Sequence, residues 1–198
     1  MPEESAVPYA PDEMGNAPDL VRREALLDFA LARRKGEGLV LEFGVHKGAS
    51  LERIAGRVNG LVHGFDSFEG LPEDWDDSRK RGRFSLDGVS PPIAAPNAVL
   101  YKGLFSETVP YFVAAHPGVA VQFAHIDCDL YSSAKTVLDH LQSRLVPGSI
   151  LVFDEFFGYE DWDLHEYRAF REMTERCTLR YRYIGYASDW GSAAVQIS

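Results

Sequence analysis

Residues 40–50 read VLEFGVHKGAS, an apolar run carrying one acid, Glu42, followed by Gly44, three residues, Gly48 and then Ala49-Ser50. Continuous apolar runs mark strands of a parallel sheet buried on both faces. Glycines at the turn let backbone approach a ligand, and the helix that follows offers unpaired N–H groups. Three further stretches repeat the plan: VHGFDSF (62–68), FAHIDCD (123–129) and ILVFDEF (150–156). Their acids are Asp66, Asp127 and the adjacent Asp154 and Glu155. Ligands bind at the carboxyl edge of such sheets. A row of acids there marks a site for a polar, cationic or hydroxyl-rich ligand and for a metal ion.

Around these runs the punctuation is regular. Asp19 caps a helix in which Leu20, Val21, Leu26, Leu27, Phe29, Ala30 and Leu31 recur at helical spacing, closed by Gly36 and Gly38. Strands are expected at 39–43, 61–65, 98–102, 121–126 and 150–153. Helices are expected at 49–57, 106–115, 132–145 and 163–176, the last a charged surface helix. The runs 179–187 and 192–197 alternate as an antiparallel pair. Strand and helix therefore alternate five times and finish on a hairpin. The expected fold is α/β, a doubly wound, mostly parallel seven-stranded sheet with helices on both faces. Residues 1–18 read as a flexible arm and 19–198 as a single domain. The irregular stretch 69–97, with Trp75 and Phe84 among its charges, is long for a compact domain and reads as a lid.

Composition narrows the class. A chain of 198 residues, 45% hydrophobic and 25% charged, fits one globular domain. A net charge of −10 argues against a phosphate-tracking surface, so no nucleic-acid partner is expected. The one basic cluster, RKRGR (79–83), follows PEDWDD (72–77) and reads as a charge-balanced mobile loop. Cys128 and Cys177 have neither metal nor disulfide spacing and read as buried or half-buried fillers. With no signal-peptide pattern and no membrane-length apolar run, a cytoplasmic protein with no membrane partner is expected.

The spacing at Gly44 and Gly48 is neither the three-glycine dinucleotide turn nor a phosphate loop, which disfavours a nicotinamide dehydrogenase. Glu42 beside that turn suits an ammonium group. Asp66, 24 residues later at the end of the second strand, is placed to accept ribose hydroxyls. Amine at one end and ribose at the other outline S-adenosylmethionine. Asp127, Asp154 and Glu155 converge on adjacent strand ends, an oxygen set that favours a hard cation such as Mg²⁺. Asp129 either faces the same cleft or caps the next helix with Ser132, the cap being preferred. His125 within its strand reads as a satisfied core residue. His46 either touches a ligand carboxylate or faces solvent.

The segments LEFGVHKGAS, GFDSFEGLP, KGLFSETVP, HIDCDLYSS, PGSILVFDEF and WGSAAVQI together resemble the macrocin-type (TylF-like) class I O-methyltransferases, which act on antibiotic sugars. The resemblance spans residues 39–197. It implies that Glu42 and Gly44 hold the methionyl end of S-adenosylmethionine, with Gly48 in step and Ser50 near its carboxylate. Asp66 takes the ribose, with Ser67 and Phe68 beside it, and Gly103, Leu104 and Phe105 line the adenine. Asp127, Asp154 and Glu155 are the implied metal ligands; the family more often has two aspartates at the last pair, so Glu155 is a departure. Catechol-type relatives carry a lysine base where this chain has Leu130.

The expected activity is an S-adenosylmethionine-dependent, Mg²⁺-dependent O-methyltransferase acting on a hydroxylated small molecule, a sugar or phenol. Asp127 or Asp129 takes the proton. The alternatives are a metal-independent O- or N-methyltransferase of the same fold, and a non-catalytic nucleoside-binding subunit. Assembly into a homo-oligomer is left open.

Overall fold

The computed structural model describes residues 14–198. Seven strands form one sheet in the order β3-β2-β1-β4-β5-β7-β6. They are β1 (Leu39–Phe43), β2 (Val62–Asp66), β3 (Ala98–Lys102), β4 (Val121–Ile126), β5 (Leu145–Phe153), β6 (Tyr181–Ala187) and β7 (Ser192–Ile197). The first five are parallel to one another, and β7 pairs antiparallel with both β5 and β6. The chain turns back between β1 and β4, the switch point at which an open α/β sheet leaves a crevice.

Alternation along each strand separates two cores. Leu41, Phe43, Ala124, Ile126, Leu151 and Phe153 pack against α3 (Phe105–Ala115), α4 (Tyr131–Leu141) and α5 (Glu166–Arg176). Val40, Phe123, Ile150 and Val152 face the other way, onto α1 (Arg23–Leu31) and α2 (Ala49–Ala55). Helices thus cover both faces, as the doubly wound reading requires.

Four expectations need correction. The strand expected at 150–153 begins at Leu145; the Pro147-Gly148 pair sits inside it where the register to β4 shifts. A bulge accommodates a proline that has no N–H to donate. The charged surface helix buries one face, through Glu166, Ala169, Phe170, Met173 and Thr174. Cys128 is a buried filler, but Cys177 is exposed just after α5. Of the expected arm, 1–13 lie outside the described residues. Residues 14–18 are held: Met14 packs in the core, and the Pro18 carbonyl accepts the Tyr186 N–H at 3.0 Å.

The 69–97 stretch has no regular structure but is tied internally. The Phe68 carbonyl accepts N–H groups of Leu86 and Gly88, and Leu71 pairs with Arg83 and Gly82. Trp75 is buried with Leu71 and Leu130 and lies beneath the Arg79 guanidinium. The acidic and basic runs neutralise each other through Asp76–Arg79 and Lys80 with Asp74 and Asp77. No helix among the described residues is long and apolar enough to cross a membrane.

Candidate active site

A cavity of about 440 Å³ opens at the carboxyl ends of β1 to β5. Its lining includes Gly44, Asp66, Ser67, Gly103, Leu104, Phe105, Asp127, Asp129, Asp154 and Glu155. From the 69–97 stretch, Leu71, Pro72 and Phe84 close one side.

The β1 end makes the floor. Gly44 has φ +90°, and a Cβ there would lie 1.8 Å from the Asp127 carbonyl oxygen, so only glycine lets β1 and β4 approach this closely. Asp66 orders the turn that follows. One carboxylate oxygen accepts the N–H groups of Val45 (2.9 Å) and His46 (2.7 Å), and the other that of Phe68 (2.7 Å). A carboxylate offers about four lone-pair sites, so capacity remains toward the cavity. Leu104, well exposed, and Phe105 form an apolar wall.

Several of the expected site residues do not line the cavity. Glu42 is fully buried and bonds His125 Nδ1 at 2.8 Å, because it pairs in register with that residue on the next strand. Glu42, Gly48, Ser50 and Phe68 are absent from the cavity lining. Gly48 instead starts α2 with φ +87°, and a Cβ there would meet Ile93. Ser50 lies within α2, and Phe68 packs in the core with α1 and α2. His46 is exposed and lines the cavity.

On the other side the acids separate into two groups. Asp127, Asp154 and His125 bring one ligand atom each within 4.8 Å of one another. All three follow the same alternating face of β4 and β5, as does Glu42. Arg23, the first residue of α1, reaches over this face and donates Nη1 to Asp154 Oδ2 at 2.8 Å. Its guanidinium also lies 5.1 Å from the Trp190 ring centroid. The turn between β6 and β7 seats both: Asp189 Oδ1 accepts the Arg23 N–H, and the Gly191 carbonyl accepts the N–H groups of Phe156 and Phe157. Ser192 donates its hydroxyl to the Asp154 carbonyl at 2.6 Å. Burial works to raise the Asp154 pKa, but His125 and Arg23 outweigh it and hold it below the usual range. Burial opposes charge on His125, yet Asp154 and Glu42 outweigh it and raise its pKa well above the ordinary value. Burial beside Asp154 pushes Asp127 well up, against the pull of His125.

Asp129 does not cap α4, whose N-cap is Leu130 with no side-chain bond. With φ +61° it turns into the cavity and hydrogen-bonds Glu155. Two carboxyl groups in contact retain one proton between them. Burial and that bond push Glu155 up to about 11. Beneath them lies Glu166, fully buried on α5, whose Oε1 accepts the Cys128 N–H at 2.8 Å and the Asp129 N–H at 3.2 Å. Neither Arg23 nor Glu166 was singled out from sequence.

Mg²⁺ requires near-octahedral oxygen ligands and keeps several of its waters. The close trio here contains only two carboxylates, and Asp154 is already paired with Arg23. His125 is bound to Glu42, and Glu155 has turned to Asp129. Negative charge is met by protein cations, so this donor set does not suit a resident Mg²⁺. The glycine floor, Asp66 and the apolar wall do suit a nucleoside-bearing methyl donor.

Comparison with known proteins accords with this. The chain is similar to the calicheamicin methyltransferase CalS11, at 25% identity and TM-score 0.69 over 89% of this chain and 80% of that one. It shares its fold with the O-methyltransferase NovP, at 16% identity and TM-score 0.66 over 88% and 78% of the two chains. It also shares the fold of an O-methyltransferase from Bacillus cereus in complex with SAH, at 12% identity and TM-score 0.55 over 97% and 83%. No curated protein sequence matches it. The methyltransferase domain family matches residues 41–156, more than half of the chain. With the cavity at the sheet's switch point, that match establishes that the chain belongs to the methyltransferase domain family and is an S-adenosylmethionine-dependent methyltransferase.

Proposed function

We propose that the protein is an O-methyltransferase acting on a hydroxyl of a small, polar acceptor such as a sugar or phenol. The observation that carries this reading is the juxtaposition, in one cavity, of a donor-shaped floor and a set of proton-accepting carboxylates. S-adenosylmethionine supplies an electrophilic methyl group on a sulfonium. Gly44 gives it backbone at close range, Asp66 accepts ribose hydroxyls with Ser67 beside it, and Gly103, Leu104 and Phe105 cover the base. Glu42 acts from behind the turn through His125, rather than as a direct grip on the amine.

The acceptor hydroxyl lies on the β4–β5 side. Fixing it in line with the methyl group accounts for much of the rate gain in such reactions. Asp127 and Asp129 are both raised above the usual carboxylate range, mainly by burial, so each holds an accepted proton more firmly than a solvated aspartate does. The sugar reading is supported by a likeness to CalS11, which is described as a TDP-rhamnose 3'-O-methyltransferase. Leu71, Pro72 and Phe84 act as a cover that keeps water from the donor.

Calorimetry with S-adenosylhomocysteine tests the donor half. Wild type binds, and Asp66→Ala weakens binding by roughly 10- to 150-fold, the equivalent of about 1.5–3 kcal/mol for a bond to a charged group. Unchanged affinity in that variant refutes the assignment. Mass spectrometry of sugar and phenol panels incubated with the donor identifies the acceptor class.

A further inference from the structure

We infer that the Arg23 guanidinium is the cation of the acceptor site, standing where the acidic rim calls for a divalent ion, so that methyl transfer runs without bound metal. The inference rests on reading this cavity as the methyl-transfer site. Three observations carry it. Arg23 and Asp154 line the cavity together, and their ion pair is 2.8 Å long with Asp154 only 4% exposed. Arg23 is held by two separate parts of the chain: Asp154 and the Trp190 ring take its guanidinium, and Asp189 beside Trp190 accepts its backbone N–H. The side chain stays 44% exposed, and an arginine has five N–H donors. Among the described residues only Nη1 makes a hydrogen bond, while Nε stands 3.8 Å from Glu24. Donors therefore remain for a ligand.

Chemically the substitution is coherent. A guanidinium is permanently charged, planar and weakly hydrated, so it can meet an oxygen without shedding a hydration shell. As the acceptor oxygen gains the methyl group it gives up its proton to Asp127 or Asp129, and the donor leaves as a neutral thioether. Arg23 donates to the oxygen while negative charge builds there. Such a donor is worth on the order of 10²-fold in turnover.

Mn²⁺ is the probe, followed by electron paramagnetic resonance on the full chain saturated with S-adenosylhomocysteine. Wild type gives no stoichiometric Mn²⁺ binding, and Arg23→Lys behaves alike. Arg23→Ala leaves Asp127 and Asp154 with His125 as their one remaining cation among the described residues and gains Mn²⁺ binding. With an acceptor found by the panel, wild-type turnover is unchanged by EDTA, and Arg23→Ala loses about 100-fold in kcat. Stoichiometric Mn²⁺ binding by wild type, loss of its turnover in EDTA, or an Arg23→Ala protein that stays silent toward Mn²⁺ each overturns the inference. S-adenosylhomocysteine calorimetry on the same samples reads the donor site separately. Failure there refutes the function, whereas normal binding with an EDTA-sensitive wild type refutes only Arg23.

Discussion

On the β1–β3 side of the cavity, one carboxylate orders a turn of backbone amides. Asp66 finds its partners 2, 20 and 21 residues away. On the β4–β5 side the acids are bonded to distant elements. Asp154 meets Arg23 across 131 residues, and the Cys128 and Asp129 amides meet Glu166 across 38 and 37. The first half is a local structure that a short stretch of chain specifies. The second is a charge arrangement that exists only in the finished fold. This difference fits the tasks proposed for them, one a nucleoside site common to many enzymes and the other an acceptor site particular to this one.

The seam between the halves is Gly44, and breaking it has the largest expected effect. In Gly44→Ala the new methyl group would meet the Asp127 carbonyl at 1.8 Å at a φ unfavourable to alanine. A loss of about 3 kcal/mol is expected, lowering Tm by roughly 6–12 °C, together with loss of S-adenosylhomocysteine binding. Wild-type Tm and affinity in this variant would show that the halves do not meet there.

Glu166→Ala separates them more gently. It leaves one buried and one part-buried N–H group unpaired, at about 1–3 kcal/mol for the buried one, and frees the turn carrying Asp129. Turnover should fall while S-adenosylhomocysteine affinity holds, as calorimetry would read. A parallel fall in affinity would mean the donor half depends on α5 after all.

The last contrast is in the sign of pH dependence. Glu155 is held at about 11 when folded, against about 4.3 for an unfolded glutamate. The folded protein then keeps a proton that the unfolded chain has lost, so stability declines as pH rises through that window, by at most about 1.4 kcal/mol per pH unit. Glu155→Gln flattens the decline. In β2, burial beside His116 lowers His63 to about 4, while the unfolded side chain titrates near 6.5. There the unfolded chain binds the proton first, so stability is lost as pH falls from about 6.5 toward 4, and His63→Gln removes that loss. Scanning calorimetry of the three proteins from pH 4 to 9 should give slopes of opposite sign; a common sign removes the contrast.

The same division governs what was legible in the sequence. The runs at 39–43, 98–102, 121–126 and 192–197 match their strands because doubly buried or alternating segments write their period directly into the chain. The sequence places Gly44 and Asp66 at the turn and the strand end where the structure has them, because both are local features. The period-two argument puts Glu42 on the face of Val40 and opposite His125, a pairing that the strand-end pattern alone does not reveal. Asp129 was expected to serve the helix beside it, but Glu166 holds its backbone and turns its carboxyl to Glu155. Arg23 and Glu166 sat in helices whose charges looked solvated. Nothing within a turn of either residue signals a partner more than thirty residues away.

The hairpin turn that seats Arg23 and closes over Asp154 sets an order of completion during synthesis. A nascent chain that has cleared the ribosome through Lys102 already carries the strands bordering the nucleoside floor. The acid rim waits for Asp189 to Ser192 to arrive from the far end. Chains stalled or clipped before that point lack the strand that joins β5 to β6, and with it the finished acid rim.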